Sequence, residues 1–145
     1  METKERIFEY LNSHHTAVVA TLSSQFSNQP MAATIVPKFR DDFTCLFSTS
    51  ILSRKYANLT ANPRVALVVG FDHDDPLTMQ YEGLARGIEK GQPEYLSMLQ
   101  ELEEFRPELG RYIHLPQTAL VEAKPVWIRF SKTDVYPAQT TEIKF

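Results

Sequence analysis

The chain has 145 residues, of which 43% are hydrophobic and 23% are charged, and its formal net charge is −3. This length is typical of one domain with a sizeable core, which excludes disorder as the main state. The slight acidic excess argues against charge-driven binding of nucleic acid, and the chain has no apolar run of the roughly 20 residues that a membrane helix needs. We therefore expect a single domain over residues 1–145 that binds neither nucleic acid nor a membrane.

Cysteine usage and the first residues predict a cytoplasmic protein. Cys45 is the only cysteine, so it has no partner for an internal disulfide. Residues 1–11 lack the basic and then apolar pattern of a secretory leader. The four histidines and Cys45 show none of the close spacings of metal sites, so we expect no metal. The acidic segment from Asp72 to Asp75, which includes His73, is predicted to be a solvated turn.

The first half of the chain predicts one helix followed by three strands. Residues 3–12 carry apolar side chains on one helical face. Three segments rich in β-branched and aromatic residues follow, separated by short polar turns, at residues 16–24, 29–39 and 43–49. We expect these three strands to form an antiparallel meander. Cys45 alternates with Phe43 and Phe47, which predicts that these three side chains share a buried face.

The second half predicts two helices among further strands. Ser53 is the expected N-cap of a helix over residues 53–63, and Pro93 is the expected start of a helix that runs to residue 105. The expected strands cover residues 64–71, 77–89, 118–124 and 126–131, and a polar tail follows them. Six or seven strands with three short helices predict a mainly β protein with flanking helices, folded as a closed or nearly closed antiparallel barrel.

Residues 48–55, with the sequence STSILSRK, place four hydroxyls and two cations where a strand ends and a helix begins. The first turn of a helix presents unpaired N–H groups and the positive end of the dipole, which together favour an anion such as phosphate. An alternative is that Ser53 only caps the helix while Arg54 and Lys55 are solvated. Cations in a first turn oppose the helix dipole, however, and their placement therefore indicates a bound anion.

The segment STSILSRKYANLTANPRVALVV, with TIVPKF before it and TMQYEGLAR after it, resembles the pyridoxamine 5'-phosphate oxidase-like superfamily of FMN-binding split barrels. In that family the segment reads aromatic-Tyr-Thr-Asn-x-x-Ser-Arg-Lys, followed at a fixed distance by Asn-Pro. The resemblance implies an antiparallel, Greek-key-like split β-barrel. It also implies an FMN-dependent oxidoreductase with a small-molecule substrate or reductant. Because the cofactor carries such chemistry, no side chain is assigned as catalytic.

The resemblance implies where FMN meets the first half of the chain. Three residues would run along the flavin ring with their backbone groups at its polar edge: Thr34, Ile35 and Val36. Lys38 would lie near the ring or the substrate pocket. The ribityl chain and phosphate would be met by Ser48, Thr49, Ser53, Arg54 and Lys55, with the two cations holding the phosphate.

The resemblance also implies a homodimer, because members of this family place two cofactor sites at the subunit interface. A flavin-contacting glutamine of the family aligns with Thr78, and one inserted residue in the acidic turn makes Gln80 an equal candidate. Trp127 resembles a late tryptophan that reaches the flavin from the second subunit.

Several departures from the family pattern bear on the substrate. Ala33, Ser48 and Ser50 replace the arginine, tyrosine and asparagine of the family. The motifs that bind the substrate phosphate in the vitamin B6 oxidases do not occur, since FRPELG at residues 105–110 shares only their Arg-Pro pair. We therefore expect pyridoxamine 5'-phosphate not to be the substrate. The chain looks like the shorter, stress-protein-like branch of the superfamily.

Two other functions fit the same sequence. One is a non-catalytic flavin-binding module for a stress response or a sensor. The other is a split barrel that binds haem or the deazaflavin F420 in place of FMN. Haem would need an axial ligand, and the only imidazoles in the sequence are those of His14, His15, His73 and His114.

Overall fold

The computed structural model describes residues 2–70 and 74–145. Eight strands lie in these ranges: β1 (Ala17–Leu22), β2 (Pro30–Ile35), β3 (Lys38–Phe39), β4 (Cys45–Ser50), β5 (Arg64–Val69), β6 (Leu77–Ile88), β7 (Thr118–Lys132) and β8 (Gln139–Lys144). The helices are α1 (Lys4–Ser13), α2 (Arg54–Ala61), α3 (Tyr95–Phe105) and a 3-10 turn (Pro107–Arg111). The end of the predicted strand at Phe71, and Asp72 and His73 of the predicted turn, lie outside the described residues.

The sheet rolls up because of one short connection. Its strand order is β2-β1-β5-β6-β7-β4-β3, with antiparallel pairs throughout and β8 added beside β7. Strands β2 and β3 stand at opposite ends of this order, yet only Val36 and Pro37 separate them in the chain. Three residue steps span at most about 11 Å, so the two ends of the sheet must come together. The predicted antiparallel split barrel is confirmed.

The chain builds two apolar cores, one on each side of the sheet. The larger core fills the barrel and contains Phe43, Cys45 and Phe47, as their alternation predicts. The smaller core lies outside the barrel, where α3 covers Leu46 and Leu120. In residues 2–70 and 74–145 the longest helix has 11 residues, and none is long and apolar enough to span a membrane.

The two strands predicted at residues 118–124 and 126–131 are one continuous strand, β7. Pro125 pairs with Gly83 at the point where the ladder between β6 and β7 shifts its register. Proline has no N–H to give to a ladder, and a bulge is one of the few places in a sheet that tolerate it. The predicted break at Pro125 is therefore wrong.

Long-range pairing overturns two further expectations. The segment 29–39 divides into β2, which pairs with β1, and β3, which pairs with β4. Both predicted antiparallel pairings occur, but β2 and β3 stand at opposite ends of the sheet order, so a meander with one continuous middle strand is wrong. The predicted polar tail contains β8, in which Ile143 is buried opposite Ile128 of β7. A single apolar position among polar neighbours is too weak a signal to predict an edge strand from the sequence.

Helix α2 packs on the barrel at the point where the Tyr56 ring lies close to Gly87 of β6. A Cβ added at Gly87 would lie 2.4 Å from the Tyr56 hydroxyl oxygen, so only glycine leaves room for the ring. The hydroxyl donates a hydrogen bond to Glu89 Oε1 at 3.3 Å. Burial, and then the Glu89 carboxylate, raise the pKa of Tyr56 to about 12, which keeps this donor protonated. The glycine thus fixes how closely α2 approaches the sheet.

We expect Gly87→Ala to lower the free energy of unfolding by about 1 to 3 kcal/mol, because the new methyl group must displace the Tyr56 ring and α2 with it. Urea denaturation measures this loss. Gly110→Ala is the matched control, since its methyl group meets only the flexible carboxylate of Glu103. Equal losses of stability for the two substitutions would contradict the inference that Gly87 sets how closely α2 packs on the sheet.

Candidate functional site

Ser53 starts α2 as the sequence predicts. Its backbone is extended, with φ −75° and ψ 150°, and its Oγ accepts a hydrogen bond from the amide of Tyr56 at 3.2 Å. The same hydroxyl donates to the carbonyl oxygen of Ser50 at 2.7 Å. One side chain therefore links the end of β4 to the first turn of α2 and sets the direction of the helix.

The two cations of the first turn of α2 lie among hydroxyls and a thioether. Lys55 Nζ donates to Thr49 Oγ1 at 3.3 Å, and that oxygen lies 2.9 Å from Ser53 Oγ. Arg54 Nη2 lies 3.6 Å from the sulfur of Met31. In the part of the chain that the structure describes, neither cation forms an ion pair. The amides of Arg54 and Lys55 also have no acceptor among the described residues.

These groups surround a pocket of about 210 Å³ between α2 and the β1–β2 hairpin. Its lining consists of Thr21, Met31, Ala32, Ala33, Ser53, Arg54, Lys55 and Asn58. The buried Asn58 side chain joins the two walls, since Nδ2 donates to Thr21 Oγ1 at 3.0 Å and Oδ1 accepts from the amide of Ser24 at 2.9 Å. We call this the α2 pocket.

The α2 pocket is electropositive and its positive charge is not balanced locally. Burial lowers the pKa of Lys55 from its ordinary value, which shows that the protein surroundings disfavour the charged ammonium. The dipole of α2 adds a positive end at the same place. Two cations and two first-turn amides without an acceptor among the described residues form a donor set that suits a phosphate group, so the residues present fit such an anion.

Ser48 does not share the α2 pocket. Along β4 its side chain points to the face opposite that of Thr49, because successive residues of a strand alternate. It lines a separate pocket of about 260 Å³ with Thr49, Ser50, Tyr112, Leu115, Gln117 and Thr118. Thr49 lines this pocket and also contacts Lys55, so the two pockets lie on either side of it.

The residues predicted to follow the flavin ring occupy different environments. Thr34 is exposed on the outer face of β2, whereas the Ile35 side chain belongs to the barrel core and leaves only its backbone available. Val36 packs against the smaller core. Lys38 lies in β3, beyond the two residues Val36 and Pro37 that connect β2 to β3. Its Nζ donates to Glu101 Oε2 at 2.8 Å, and Lys38 does not line the α2 pocket.

Thr78, Gln80 and Trp127 lie together on the outer face of the sheet. The register places Thr78 opposite Ser131, Gln80 opposite Arg129, and Glu82 opposite Trp127. The Trp127 indole Nε1 donates to Glu142 Oε2 at 3.4 Å. Strands β6 and β7 stand three and four strands from β2 in the sheet order, and none of the three residues lines the α2 pocket. In one chain the structure does not bring these residues to the α2 pocket.

Sequence reasoning missed Asn58 and Met31 as residues of the α2 pocket. Asn58 follows Arg54 by four residues, so both lie on one face of α2, and this spacing is a signal that the sequence carries. Met31 has no comparable signal, because its contact depends on how the β1–β2 hairpin folds against the helix. Ala33, which replaces the arginine of the family, lines the same pocket.

Rolled antiparallel strands with a pocket lined by two cations at a strand-to-helix junction define a small split-barrel protein. The chain belongs to the pyridoxamine 5'-phosphate oxidase family, whose model matches residues 3–132. This confirms the resemblance found in the sequence. No curated protein matches the chain.

Several solved structures share the fold. General Stress Protein 26 from Bacillus anthracis superposes with a TM-score of 0.77 at 21% identity, covering 100% of both chains. A pyridoxamine 5'-phosphate oxidase-related, FMN-binding protein from Nostoc punctiforme gives 0.69 at 16% identity, covering 96% of this chain and 93% of that one. HutZ, a haem storage protein from Vibrio cholerae, gives 0.72 at 17% identity, covering 86% and 91%. At these identities the likeness shows the fold alone.

We expect Lys55→Met to stabilise the ligand-free protein by up to about 1 kcal/mol, because it removes a cation from the positive end of a helix. Because the pKa of Lys55 is lowered in the folded state, the folded protein loses the ammonium proton at a lower pH than the unfolded protein. The wild-type protein therefore gains stability as pH rises towards 10.5, and the stability difference in favour of Lys55→Met shrinks. Urea denaturation at several pH values measures both effects. Lys124→Met, at an exposed position on β7, is the control and should change stability little.

Proposed function

We propose that the protein binds FMN and acts as an FMN-dependent oxidoreductase on a small-molecule substrate or reductant. The observation that carries this proposal is the α2 pocket, where Arg54 and Lys55 have no carboxylate partner among the described residues. Membership of the pyridoxamine 5'-phosphate oxidase family supports the choice of cofactor. The solved Nostoc relative is itself described as FMN-binding.

The phosphate of FMN would be held at the first turn of α2. Arg54 and Lys55 supply charged donors, and Thr49 and Ser53 supply hydroxyls that already lie within hydrogen-bonding distance of each other. Charge-assisted hydrogen bonds of this kind contribute about 1.5 to 3 kcal/mol each. A bound dianion would also remove the repulsion between the two cations and the helix dipole.

The flavin ring would be oriented by the free edge of β2. This strand is the last in the sheet order and, among the described strands, pairs only with β1, so half of its backbone N–H and C=O groups point away from these strands. A row of backbone donors and acceptors suits the polar edge of an isoalloxazine. The same geometry explains how Ile35 could contribute although its side chain is buried in the core.

When bound, FMN supplies the electron-transfer chemistry, and the chain binds and orients it. Among the described histidines, the ring of His14 contacts the carbonyl of Tyr10 at 2.8 Å, that of His15 lies 3.3 Å from Glu108, and that of His114 lies 3.0 Å from Glu103. None of the three lines the α2 pocket. We therefore assign no general acid or base, and the substrate stays unassigned.

The same observations favour FMN over haem. A haem site needs an axial ligand, and the described imidazoles lie after α1 and after the 3-10 turn, away from the α2 pocket. The likeness to HutZ concerns the fold, and what HutZ stores is a property of that protein. A phosphate-bearing deazaflavin would use the same donor set, so the mass of the bound cofactor distinguishes it from FMN.

We also propose a homodimer in which the outer face of one protomer completes the cofactor site of its partner. Val18 and Val68 lie side by side on this face with 41% and 44% of their surface exposed, in a cross-strand row with Thr34 and Gln80. A second copy would cover this apolar surface. It would also bring Gln80 and Trp127 to a flavin from which they are separated in one chain.

Replacing both Arg54 and Lys55 by alanine should weaken FMN binding by at least about 100-fold, because two charge-assisted hydrogen bonds to the phosphate are lost. Riboflavin lacks the phosphate, so its weaker affinity should hardly change. Flavin fluorescence during titration of the apoprotein measures both constants. The double variant Lys4→Ala/Arg6→Ala, on the exposed side of α1, matches the change in charge. Equal losses for both flavins would place the phosphate elsewhere.

Light scattering at micromolar concentration should give twice the mass of the chain. Val68→Lys should shift the protein to the monomer, because a charge on the outer face must be desolvated at the interface. Leu96→Lys is the matched control, since Leu96 is 74% exposed on α3 and lies away from that face. A monomeric, FMN-bound wild-type protein would rule out the proposed dimer.

A further inference from the structure

Glu101 of α3 is bound by two cations from β3 and the residue that follows it. Arg40 donates to both carboxylate oxygens, from Nε at 3.0 Å and from Nη2 at 2.8 Å. Lys38 Nζ donates to Oε2 at 2.8 Å. The hydrogen bonds from Arg40 and then from Lys38 outweigh the effect of burial and lower the pKa of Glu101 to about 2. A forked guanidinium with a nearby ammonium is the donor arrangement that proteins use for carboxylate or phosphate ligands.

The charges around Glu101 are balanced. Arg40 also lies 3.5 Å from the buried carboxylate of Glu122, which Arg86 contacts at 3.1 Å, and Arg86 pairs in turn with Glu94 at 2.9 Å. Three cations thus face three carboxylates on the outer side of the sheet. Without the charge of Glu101 this network would carry an excess of one positive charge, centred on Lys38 and Arg40.

The ion pair lies at an open pocket. The cavity measures about 410 Å³ and is lined by Lys38, Ser97, Gln100, Glu101, Glu104 and Phe105. Lys38 Nζ stands 5.7 Å from the centre of the Phe105 ring. The side chains of Lys38 and Glu101 keep 22% and 25% of their surface exposed, so a small molecule in this pocket would reach the ion pair directly.

We propose that Glu101 keeps small anions out of this pocket. Its carboxylate is bound by Lys38, which lines the pocket, and by Arg40 beside it, and this excludes small phosphorylated or carboxylated molecules from both cations. An anion entering the pocket would have to displace a carboxylate tethered to α3, which binds at a high effective concentration. This inference does not depend on FMN, because the α2 pocket shares none of these residues.

Glu101→Gln tests the proposal, with inorganic phosphate as the probe and amide NMR shifts of residues 38–40 and 97–105 as the readout. In the wild-type protein these amides should stay unmoved during the titration. In the variant they should move, with phosphate bound at least about tenfold more tightly, because Lys38 and Arg40 lose the one carboxylate to which both of them donate. Phosphate that enters the α2 pocket is reported separately by the amides of residues 53–58.

Glu104→Gln is the matched control, because it removes the same charge from the same pocket but frees neither cation; Glu104 accepts instead from Gln100 at 3.0 Å. Lys38→Ala in the Glu101→Gln background should abolish the gain. If Glu101→Gln does not fold, Glu101→Asp withdraws the carboxylate by one methylene group and should give a smaller gain. No gain in a folded Glu101 variant, or an equal gain in Glu104→Gln, would overturn the proposal.

Discussion

The two-residue connection between β2 and β3 is the constraint on which the rest of the structure depends. Val36 and Pro37 join strands that stand at opposite ends of the sheet order, so the sheet curls until these ends meet. The two strands do not pair with each other, and the barrel stays split at this point. The split leaves the edge of β2 free, and α2 packs against β6 and β1. The α2 pocket lies between this helix and the β1–β2 hairpin.

The two cations of the α2 pocket lower the stability of the ligand-free protein. Arg54 and Lys55 stand at the positive end of α2, and burial disfavours the charged form of Lys55. Beyond the connection of Val36 and Pro37, Lys38 and Arg40 both pair with Glu101, and Arg40 also pairs with Glu122. The contrast between the two clusters is informative: one has a carboxylate of the chain in place, whereas the other presents donors with no such partner among the described residues. A phosphate-bearing ligand would supply what the α2 pocket lacks.

Local signals in the sequence predicted the elements that form the α2 pocket. Ser53 follows a strand and precedes an amphipathic turn, so its role as a cap could be inferred from residue type and spacing alone. The grouping of Thr49, Ser53, Arg54 and Lys55 followed from the same short segment. Their roles toward FMN, like those of Thr34, Gln80 and Trp127, stay predictions.

The features that sequence reasoning missed depend on contacts between distant segments. Glu101 lies 63 residues from Lys38, and no local pattern predicts that they pair. Pro125 indicated a break by its residue type, yet the strand continues through it, because the register shift opposite Glu82 and Gly83 leaves Val126 as an extra residue that makes a bulge in β7. Strand β8 contains one buried apolar residue and exists because β7 offers an edge for it. Each of these outcomes is decided by tertiary packing, which overrides local propensity.

The absorption spectrum of the purified protein, followed by mass identification of the released cofactor, tests the central claim most directly. We expect the visible bands of an oxidised flavin and the mass of FMN, or, for a colourless preparation, the appearance of a bound-flavin spectrum when FMN is added. A sharp Soret band, the mass of F420, or a colourless protein that does not bind added FMN would contradict an FMN-binding function.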